Sequence, residues 1–459
     1  MPLVSLFRSV PIRGYSAIAL WLWMSFGWMQ CQPAKEILST DPNPTLRFSD
    51  RIVVFDTVLA GFRTTTQRLM VYNPGRNVIR IPSIALANQS NQGFRIAVNG
   101  RRANEFANIE ILGGDSLLVL VEGFFDNNQP QPVTELLDSI VFNFPQRQQA
   151  VYLLAWGQRV NVISRQRITQ PTVWTKGVPY LLLDSLVIAP GGSLTLQDSV
   201  QVYAFNQAYV RVQGSLAANG LPGKWVAWRG FRREAGFENR PGQWQGILAA
   251  RGSQINLQYT EIRNVLTAIQ TLPEGGGADP QVQLRQVILQ HLTQSGLQLS
   301  RAQLQADNLL IANCIGDAIS LGQTGTMTLN NCTLANFEFD FVRRGVSFLA
   351  NAGSNWSLQW TNVLIWGSRR DREEISLAAG QSLPITQNCL LRSQLTGLQG
   401  NNNLVNIDPL FQAPAAYDFS LRLASPALKR GFANGLLIDI LGKPRVSPPD
   451  IGAYERQPN

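Results

Sequence analysis

Apolar and polar residues alternate along most of the chain in short segments, and one such segment recurs six times. The copies read YTEIRN, QVILQH, NLLIAN, NCTLAN, NVLIWG and NCLLRS, and they begin at Tyr259, Gln286, Asn308, Asn331, Asn362 and Asn388. Their starts lie 22 to 31 residues apart. Alternation with a period of two predicts β-strands. A unit of this length cannot bury its apolar side alone, so the repeat predicts a solenoid of stacked copies.

The aligned copies share two mostly apolar columns, at their second and fourth positions. These columns contain Thr260, Val287, Leu309, Cys332, Val363 and Cys389, and Ile262, Leu289, Ile311, Leu334, Ile365 and Leu391. The third position between them is less polar than a solvent-facing position should be, so we expect part of this face to be covered. The sixth position includes Asn264, His291, Asn313 and Asn336. It predicts a bend, because Asn tolerates a left-handed backbone.

Further strands complete each turn of the predicted solenoid. A further mostly apolar column lies two residues before the start of each copy, which is three residues before the second position. An odd spacing within one strand would place the two columns on opposite sides of the sheet, so a bend must separate them. A third short strand follows the first three copies, as in Gly296–Leu299. Each turn therefore contains about three short strands. We predict the solenoid for residues 171–400 and a carboxy-terminal cap for residues 401–459.

The amino-terminal part of the chain alternates without repeating. Between residues 48 and 160, seven short runs rich in Val, Ile, Leu and aromatic residues are separated by Gly, Pro, Asn and Asp. This pattern predicts an antiparallel β-sandwich, Ig-like in layout, for residues 48–160. The Cys–Trp–Cys hallmark of immunoglobulin domains is absent from it. The whole chain is thus predicted to be all-β, with this domain as a spacer or docking module.

The first residues predict export and lipid attachment. Arg8 and Arg13 precede the apolar run Ala17–Met29, and Cys31 follows shortly after it. A basic start and a short apolar run are typical of a signal peptide, here residues 1–31. Cys31 resembles the lipid-attachment cysteine of bacterial lipoproteins, while an uncleaved anchor and ordinary secretion are the alternatives. Residues 32–47 are polar and proline-rich and predict a tether.

Composition limits the chemistry that the chain can perform. The 459 residues are 45% hydrophobic but only 15% charged, so Gln, Asn, Ser and Thr must keep the surface wet. With one histidine, His291, the chain has little material for a multi-histidine metal site or a Ser-His-Asp triad. We predict no metal and no cofactor. A formal charge of +9 in short basic runs predicts weak attraction to acidic polymers and no nucleic-acid partner.

Three cysteines remain beside Cys31. They are Cys314, Cys332 and Cys389, and an odd number excludes a complete disulfide framework. We expect them to be small buried residues of the core.

Several segments resemble a known family. VFDTV, VYNPG, AWGQ, PGQWQGI and the carboxy-terminal DPLF…DIGAYE are similar to segments of exported Bacteroidetes lipoproteins with a right-handed parallel β-helix of the pectin-lyase-like type. The resemblance implies this β-helix for residues 171–400. It also implies a lipid anchor in the cell outer membrane at Cys31, facing the periplasm or the cell surface. It implies no particular activity. Leu428–Gly431 departs from the family, which usually carries an acidic residue before this glycine.

Catalytic groups are sparse in the repeats. A glycoside hydrolase needs two carboxylates beside one bond, and a lyase needs a base and acidic groups that hold Ca²⁺. Glu338 and Asp340 lie near Arg343, and we interpret this charged cluster as a solvated loop with ion pairing. His291 is interpreted as a hydrogen-bonded bend residue. We therefore predict no catalytic residues.

Two tryptophans are candidates for contact with sugars. Trp244 and Trp366 fall near predicted bends, where an exposed ring could stack on a glycan. The leading hypothesis is a cell-envelope lipoprotein whose β-helix binds a glycan, or serves as a scaffold surface, without catalysis. The alternatives are a polysaccharide lyase or glycoside hydrolase, and an adhesion or envelope-assembly scaffold that binds a protein.

Overall fold

A computed structural model describes residues 36–88, 93–126, 131–234, 236–337 and 342–457. These residues are almost entirely β, and the helical content among them is the 3-10 turn Pro414–Ala416. They divide into two compact units. The first comprises the described residues up to Phe55 with Thr65–Gly123 and Leu137–Leu154, and the second comprises Asp56–Thr64, Phe124–Leu136 and the chain from Ala155 onward.

The amino-terminal strands form two mainly antiparallel sheets. The strands are β1 (Arg47–Phe48), β2 (Ile52–Val54), β3 (Val58–Leu59), β4 (Gln67–Tyr72), β5 (Ile79–Leu86), β6 (Gly93–Val98), β7 (Arg101–Ala103), β8 (Glu105–Ile111), β9 (Ser116–Phe124), β10 (Val133–Phe144) and β11 (Arg147–Gln158). One sheet has the order β1-β4-β9-β6-β7, and the other has the order β2-β11-β10-β5-β8, with β3 also paired to β11. The rings of Phe48 and Phe142, one from each sheet, lie 5.0 Å apart.

A long parallel sheet follows. Its strands are β12 (Asn161–Ile163), β13 (Gln166–Ile168), β14 (Pro171–Trp174), β15 (Tyr180–Leu182), β16 (Ser185–Ile188), β17 (Ser193–Leu196), β18 (Gln201–Ala204), β19 (Tyr209–Val212), β20 (Ser215–Asn219), β21 (Val226–Gly230), β22 (Gly246–Ala249), β23 (Gln254–Thr271), β24 (Gln281–Cys314), β25 (Ile319–Asn330), β26 (Thr333–Asn336), β27 (Phe348–Ala350), β28 (Asn355–Thr361), β29 (Leu364–Gly367), β30 (Ile375–Leu377), β31 (Ile385–Gln387), β32 (Leu390–Leu391) and β33 (Leu404–Val405). In the regular turns each strand pairs in parallel with the strand three further on, as β15 does with β18. This pairing is compatible with a parallel β-helix.

Three strands per turn give the sheet three faces. The polar face contains β14, β17, β20, residues 254–258, 281–285, 301–307 and 324–330, β28 and β31. The covered face contains β12, β15, β18, β21, residues 260–263, 287–290 and 309–312, β26, β29, β32 and β33. The third face contains β13, β16, β19, β22, residues 269–271, 297–299 and 319–321, β27 and β30.

The bends between faces fall where the sequence columns predict them. The first positions of all six copies have a left-handed backbone, with φ between 42° at Tyr259 and 56° at Asn362. Asn264, His291 and Asn313 in the sixth column also have positive φ. At Asn336 the side-chain Oδ1 accepts a hydrogen bond from the Cys314 amide of the adjacent turn, at 2.7 Å. Asn is common at these bends because it tolerates this backbone and can satisfy a neighbour's amide.

The second and fourth positions of the copies point into one continuous core. Leu309, Ile311, Val363 and Ile365 are each 0% exposed, and burying such a side chain stabilises the fold by about 1.5–3 kcal/mol. Cys314, Cys332 and Cys389 are free and buried, as the sequence predicts. Burial raises the pKa of each of these thiols to about 12, so all three stay protonated.

The carboxy-terminal segment packs on the outer side of the covered face. It contains β34 (Phe411–Ala413) and β35 (Asp418–Leu421), an antiparallel pair. Its buried residues form an apolar cluster with the odd-numbered positions of the copies, made of Leu310, Ala312, Ala335, Leu364, Leu390, Phe411, Phe419, Leu421, Ala427, Ile440, Ile451 and Ala453. The prediction that this face is covered is therefore confirmed.

Gly452 allows a close approach of this segment to the sheet. Its φ is 105°, and a Cβ at this position would lie 2.8 Å from the hydroxyl of Thr333. The next amide, that of Ala453, donates a hydrogen bond to the same hydroxyl at 2.9 Å. A side chain at residue 452 would push the segment away from the sheet.

Candidate functional site

The polar face presents amide and hydroxyl side chains to solvent in regular rows. Strand alternation sends every second residue into the core, and the residues between them point outward. On β14 they are Pro171 and Val173. On the other strands these outward residues are Ser193, Thr195, Ser215, Ala217, Asn219, Gln254, Asn256, Gln258, Gln281, Gln283, Arg285, Arg301, Gln303, Gln305, Asp307, Thr324, Thr326, Thr328, Asn330, Asn355, Ser357, Gln359, Thr361, Ile385 and Gln387. Nearly all are exposed or half-buried.

The rows stack in register from one turn to the next. Gln254 pairs with Gln281 and Asn256 with Gln283, and further along Thr328 pairs with Gln359. Neighbouring strands lie about 4.8 Å apart, so like groups recur at this spacing along the sheet. The side chains of Gln281, Gln283 and Gln359 form no hydrogen bond with another described residue. Their donors and acceptors therefore face solvent, where a ligand can reach them.

The charges on the polar face are few. Arg301 pairs with Asp279, at 3.2 Å, just beyond the strand. Asp307 is 7% exposed, and its carboxylate accepts hydrogen bonds from Asn330 at 2.8 Å and from Gln305 at 3.4 Å. Arg285 is the remaining charged residue among the outward positions. The face is therefore close to neutral over its length.

An apolar ridge borders the polar face. It consists of Phe432, Leu437, Ile438 and Leu441, whose side chains are 45%, 78%, 38% and 40% exposed. The backbone of this ridge bonds to bend residues at the edge of the polar face, since Asn308 Nδ2 donates to the Ile438 carbonyl at 3.0 Å.

Asn362 makes the same kind of contact further along the ridge. Its Nδ2 donates to the Phe432 carbonyl at 2.8 Å, and its Oδ1 accepts from the Phe432 amide at 2.6 Å. Asn308 and Asn362 directly follow Asp307 and Thr361 of the polar face in sequence. The ridge therefore places exposed apolar groups next to the rows of amides.

The two tryptophans singled out in the sequence do not lie on the polar face. Trp244 is only 1% exposed, belongs to the core, and donates its Nε1–H to the Arg263 carbonyl at 3.0 Å. Its ring packs against Trp228 at 6.2 Å. This burial corrects the prediction for Trp244, because a ring without an exposed face cannot stack on a sugar.

Trp366 lies on the covered face. It is half-buried against the apolar cluster of the carboxy-terminal segment, and the Arg392 guanidinium lies 4.9 Å from its ring centroid. One side of the ring is thus occupied by a cation of the same chain. Contact between Trp366 and a glycan stays a prediction.

The acidic groups of the last turns are engaged in structural contacts. Arg343 and Glu374 form a buried ion pair with side-chain exposures of 2% and 0%, and Ser347 donates to the same carboxylate at 2.7 Å. Glu338 and Asp340, the other members of the charged cluster noted in the sequence, lie outside the described residues. Asp371 is paired with Arg369, whose hydrogen bond lowers the pKa of Asp371 to about 2.

Asp317 is the carboxyl of this region with a raised pKa. Burial raises it, and the bond from the Val346 amide to the carboxylate, at 2.9 Å, opposes that rise. A raised carboxyl pKa suits a general acid, but the groups that face Asp317 are the arginines Arg343 and Arg369. Among the described residues, no three His, Cys, Asp or Glu side chains are grouped as metal ligands.

His291 occupies a bend under the carboxy-terminal segment. The bend is as the sequence predicts, but the hydrogen bond expected of this side chain is missing, because its Nε2 is buried without a partner among the described residues. His291 is 3% exposed, with φ of 57°, and the Tyr417 ring meets it edge-on at 4.7 Å. Burial, and secondarily the positive charge of Arg263, lowers its pKa to about 3. The imidazole is therefore neutral near pH 7 and enclosed by the protein.

The predicted lipid-attachment residue, Cys31, lies outside the described residues. Within the part of the chain that the structure describes, no helix is long and apolar enough to cross a membrane.

Comparisons with known proteins add little to this description. No protein-family model and no curated protein matches the chain. One similar solved structure is that of the Vibrio cholerae VesB protease, with 10% sequence identity, a TM-score of 0.15, and coverage of 25% of this chain and 31% of that chain. The chain thus spans about a third of that protease, and a likeness this low carries no argument about fold or function.

The polar face is the feature that the sequence reasoning missed. The signal was present in the alternate residues of QINLQ and QVQLR, where Gln, Asn or Arg stands on either side of each apolar residue.

Proposed function

We propose that this protein is a cell-envelope lipoprotein whose polar face binds a hydroxyl-rich, neutral glycan without catalysis. The observation that carries the proposal is the series of outward amide and hydroxyl groups along the polar face, of which Gln281, Gln283 and Gln359 form no hydrogen bond with another described residue. Such groups both donate and accept hydrogen bonds, as sugar hydroxyls do. The near-neutral charge of the face favours a neutral polymer over an acidic one.

The geometry predicts weak binding per sugar and a strong dependence on chain length. Each neutral hydrogen bond contributes about 0.5–1.5 kcal/mol net, because it replaces a bond to water. No exposed aromatic ring supplements these bonds among the outward residues of the polar face. The apolar ridge supplies the contact that the C–H faces of sugars require. Several turns must therefore act together, and longer oligosaccharides should bind more tightly.

The fold proposed for the second unit is a right-handed parallel β-helix. Parallel pairing between strands three apart supports it, and parallel crossover connections are right-handed in about 98% of cases. For the amino-terminal sheets we propose an Ig-like sandwich, supported by the antiparallel pairing and by the contact between Phe48 and Phe142. A binding face on a rigid coil joined to a small spacer domain suits a protein that holds a polymer near a membrane.

Attachment to the outer membrane through Cys31 completes the proposal. It rests on the order of basic, apolar and cysteine residues in the first thirty-one positions and on the resemblance to Bacteroidetes-type lipoproteins. A Cys31→Ala variant should be released from the membrane fraction and lose the mobility shift of the lipidated protein. A variant that stays membrane-bound and fully processed would contradict the anchor.

Binding without turnover separates this proposal from a polysaccharide lyase or glycoside hydrolase. Asp307 is the carboxylate on the polar face, so it is the residue on which an enzymatic alternative would depend. Wild type and Asp307→Asn should bind the same neutral polysaccharides, and neither should release reducing ends or unsaturated products. Turnover by wild type that disappears in Asp307→Asn would establish the enzyme instead. Absence of any glycan binding, with capture of one defined envelope protein, would favour the protein-binding scaffold.

A further inference from the structure

A cavity opens in the carboxy-terminal segment and is built only from residues of that segment. Its volume is about 320 Å³, and it is lined by Leu423, Leu428, Lys429, Val446, Ser447, Asp450, Arg456 and Gln457. This volume is at the lower end of small-molecule sites, which range over about 300–1,000 Å³. None of its lining residues belongs to the polar face, so the cavity is independent of the proposed glycan site.

Two cations and one carboxylate line the cavity. Asp450 is 2% exposed, and both of its carboxylate oxygens are occupied by backbone amides: Oδ1 by that of Lys429 at 2.7 Å and Oδ2 by that of Arg456 at 2.8 Å. The carboxylate therefore fixes the backbone of both cationic residues, and it accepts no hydrogen bond from either of their side chains. One net positive charge remains, which a single monoanion would balance.

The donors of these cations are available to a ligand. The Lys429 ammonium forms no ion pair or hydrogen bond with another residue in the described chain, and it is exposed. Arg456 uses Nη1 for the Leu421 carbonyl at 3.0 Å. Its remaining guanidinium N–H groups have the geometry that suits a carboxylate.

The loop that carries Lys429 is held in place. Lys429 has φ of 53°, a left-handed backbone that is uncommon for a lysine. Beside it, Asn388 Nδ2 donates to the Arg430 carbonyl at 2.7 Å, and the Gly431 amide donates to the Pro449 carbonyl at 2.7 Å. The backbone that carries the cation is thus positioned before a ligand arrives, which reduces the ordering cost of binding.

The rest of the lining is apolar. Leu423 is 74% exposed and Val446 is 39% exposed, although both belong to a packed segment, and Leu428 lies half-buried beside them. Exposed apolar side chains beside unneutralised cations match a ligand that has an anionic head and an apolar body.

We propose that this cavity binds a small organic carboxylate, with its carboxylate on Lys429 and Arg456 and its apolar body against Leu423 and Val446. The monoanionic head matches the one net positive charge of the lining. Both parts of the ligand contribute, so neither an alcohol of the same length nor a bare anion should replace it.

Calorimetric titration with hexanoate, hexanol and inorganic phosphate tests the proposal. Wild type should bind hexanoate about tenfold more tightly than either hexanol or phosphate. Lys429→Asn should weaken hexanoate binding at least about fivefold, and the asparagine accommodates the left-handed backbone. Lys443→Asn, which alters a lysine outside the cavity lining, should bind hexanoate as wild type does.

A second variant separates loss of binding from loss of folding. Leu423→Ser changes an exposed side chain, so it should melt as wild type does and bind hexanoate severalfold more weakly. Equal affinity for hexanoate and hexanol, tighter binding of phosphate than of hexanoate, or unchanged affinity in both cavity variants would overturn the proposal.

Discussion

The polar face and the covered face belong to the same parallel sheet, yet their outward sides have opposite chemistry. Both send alternate residues into one core. On the covered face the outward positions include Leu310 and Leu364, each 0–1% exposed under the carboxy-terminal segment. On the polar face the corresponding positions are amides and hydroxyls that meet solvent. The comparison teaches that the protein buries the covered face under its own carboxy-terminal segment and leaves the polar face exposed to solvent.

Removing the buried ion pair of the carboxy-terminal segment should have the largest effect on stability. Arg445 and Glu455 form a buried ion pair with exposures of 2% and 0%, and Arg445 Nη2 also donates to the Asn308 side chain at 2.6 Å. Arg445→Met leaves a buried carboxylate unpaired, and the free energy of unfolding should fall by about 3–5 kcal/mol. Urea unfolding followed by tryptophan fluorescence measures it.

The control for this variant is Lys176→Met, which removes the more exposed pair with Asp198, at 3.3 Å. That change should cost less than about 1 kcal/mol. Equal losses in the two variants would contradict the structural role given to the buried pair.

Truncation of one outward residue on each face compares the faces directly. Leu364→Ala removes packing between the sheet and the carboxy-terminal segment, and it should cost about 2–4 kcal/mol. Gln359→Ala removes an exposed amide from the polar face, and it should change stability by less than about 0.5 kcal/mol. The same unfolding titration checks both variants. Similar costs would mean that the two faces are equally covered.

Lowering the pH should reduce the free energy of unfolding, because His291 is buried under the carboxy-terminal segment. Its pKa of about 3 in the folded protein lies below its ordinary value of 6.5, so the unfolded chain binds the proton more readily. Stability should therefore fall as pH drops from about 6.5 towards 3, by about 2 kcal/mol at pH 5 for this residue. His291→Asn, a residue already used in this column, should remove that share of the pH dependence. Identical stability differences between pH 7 and pH 5 in the two proteins would refute the assignment.

Two bend residues should differ from each other in their contribution to stability, although the effect is smaller. Asn362 bonds to Phe432 of the carboxy-terminal segment, whereas neither side-chain polar atom of Asn313 has a partner among the described residues. Both have left-handed backbones, with φ of 56°. Glycine keeps this backbone, so Asn362→Gly should cost about 1–2 kcal/mol and Asn313→Gly less than about 0.5 kcal/mol. A reversed order in thermal melts would contradict the asymmetry between the two bends.

The sequence predicted the long parallel sheet because its strongest signal is repetition. Six aligned copies average out local variation, so the inward columns, the bends at Asn308 and Asn362 and the covering of the third position could all be predicted. Trp244 was misplaced because it lies in an irregular turn, where no repeat defines which side chains point inward. Its ring instead packs on Trp228 in the core.

Side-chain contacts between residues far apart in the chain could not be predicted from the sequence for a similar reason. Arg343 and Glu374 are 31 positions apart and come from loops of different length, so no spacing rule joins them. The Lys429 cavity likewise depends on Asp450, which is 21 positions away. Such contacts depend on how the loops pack against the parallel sheet. The periodicity of apolar residues in the sequence carries no information about this packing.

The most direct test of the account is the affinity of the polar face for a neutral oligosaccharide series of increasing length. Titration calorimetry should compare wild type with a triple variant, Gln281→Ala, Gln283→Ala and Gln359→Ala, and with the third-face control Gln270→Ala and Gln298→Ala. We predict that affinity rises with chain length in wild type and in the control, and that it falls at least about tenfold in the triple variant, whose thermal stability should be unchanged. Equal affinity in the triple variant and wild type would contradict the claim that the uncovered amide rows are the binding surface.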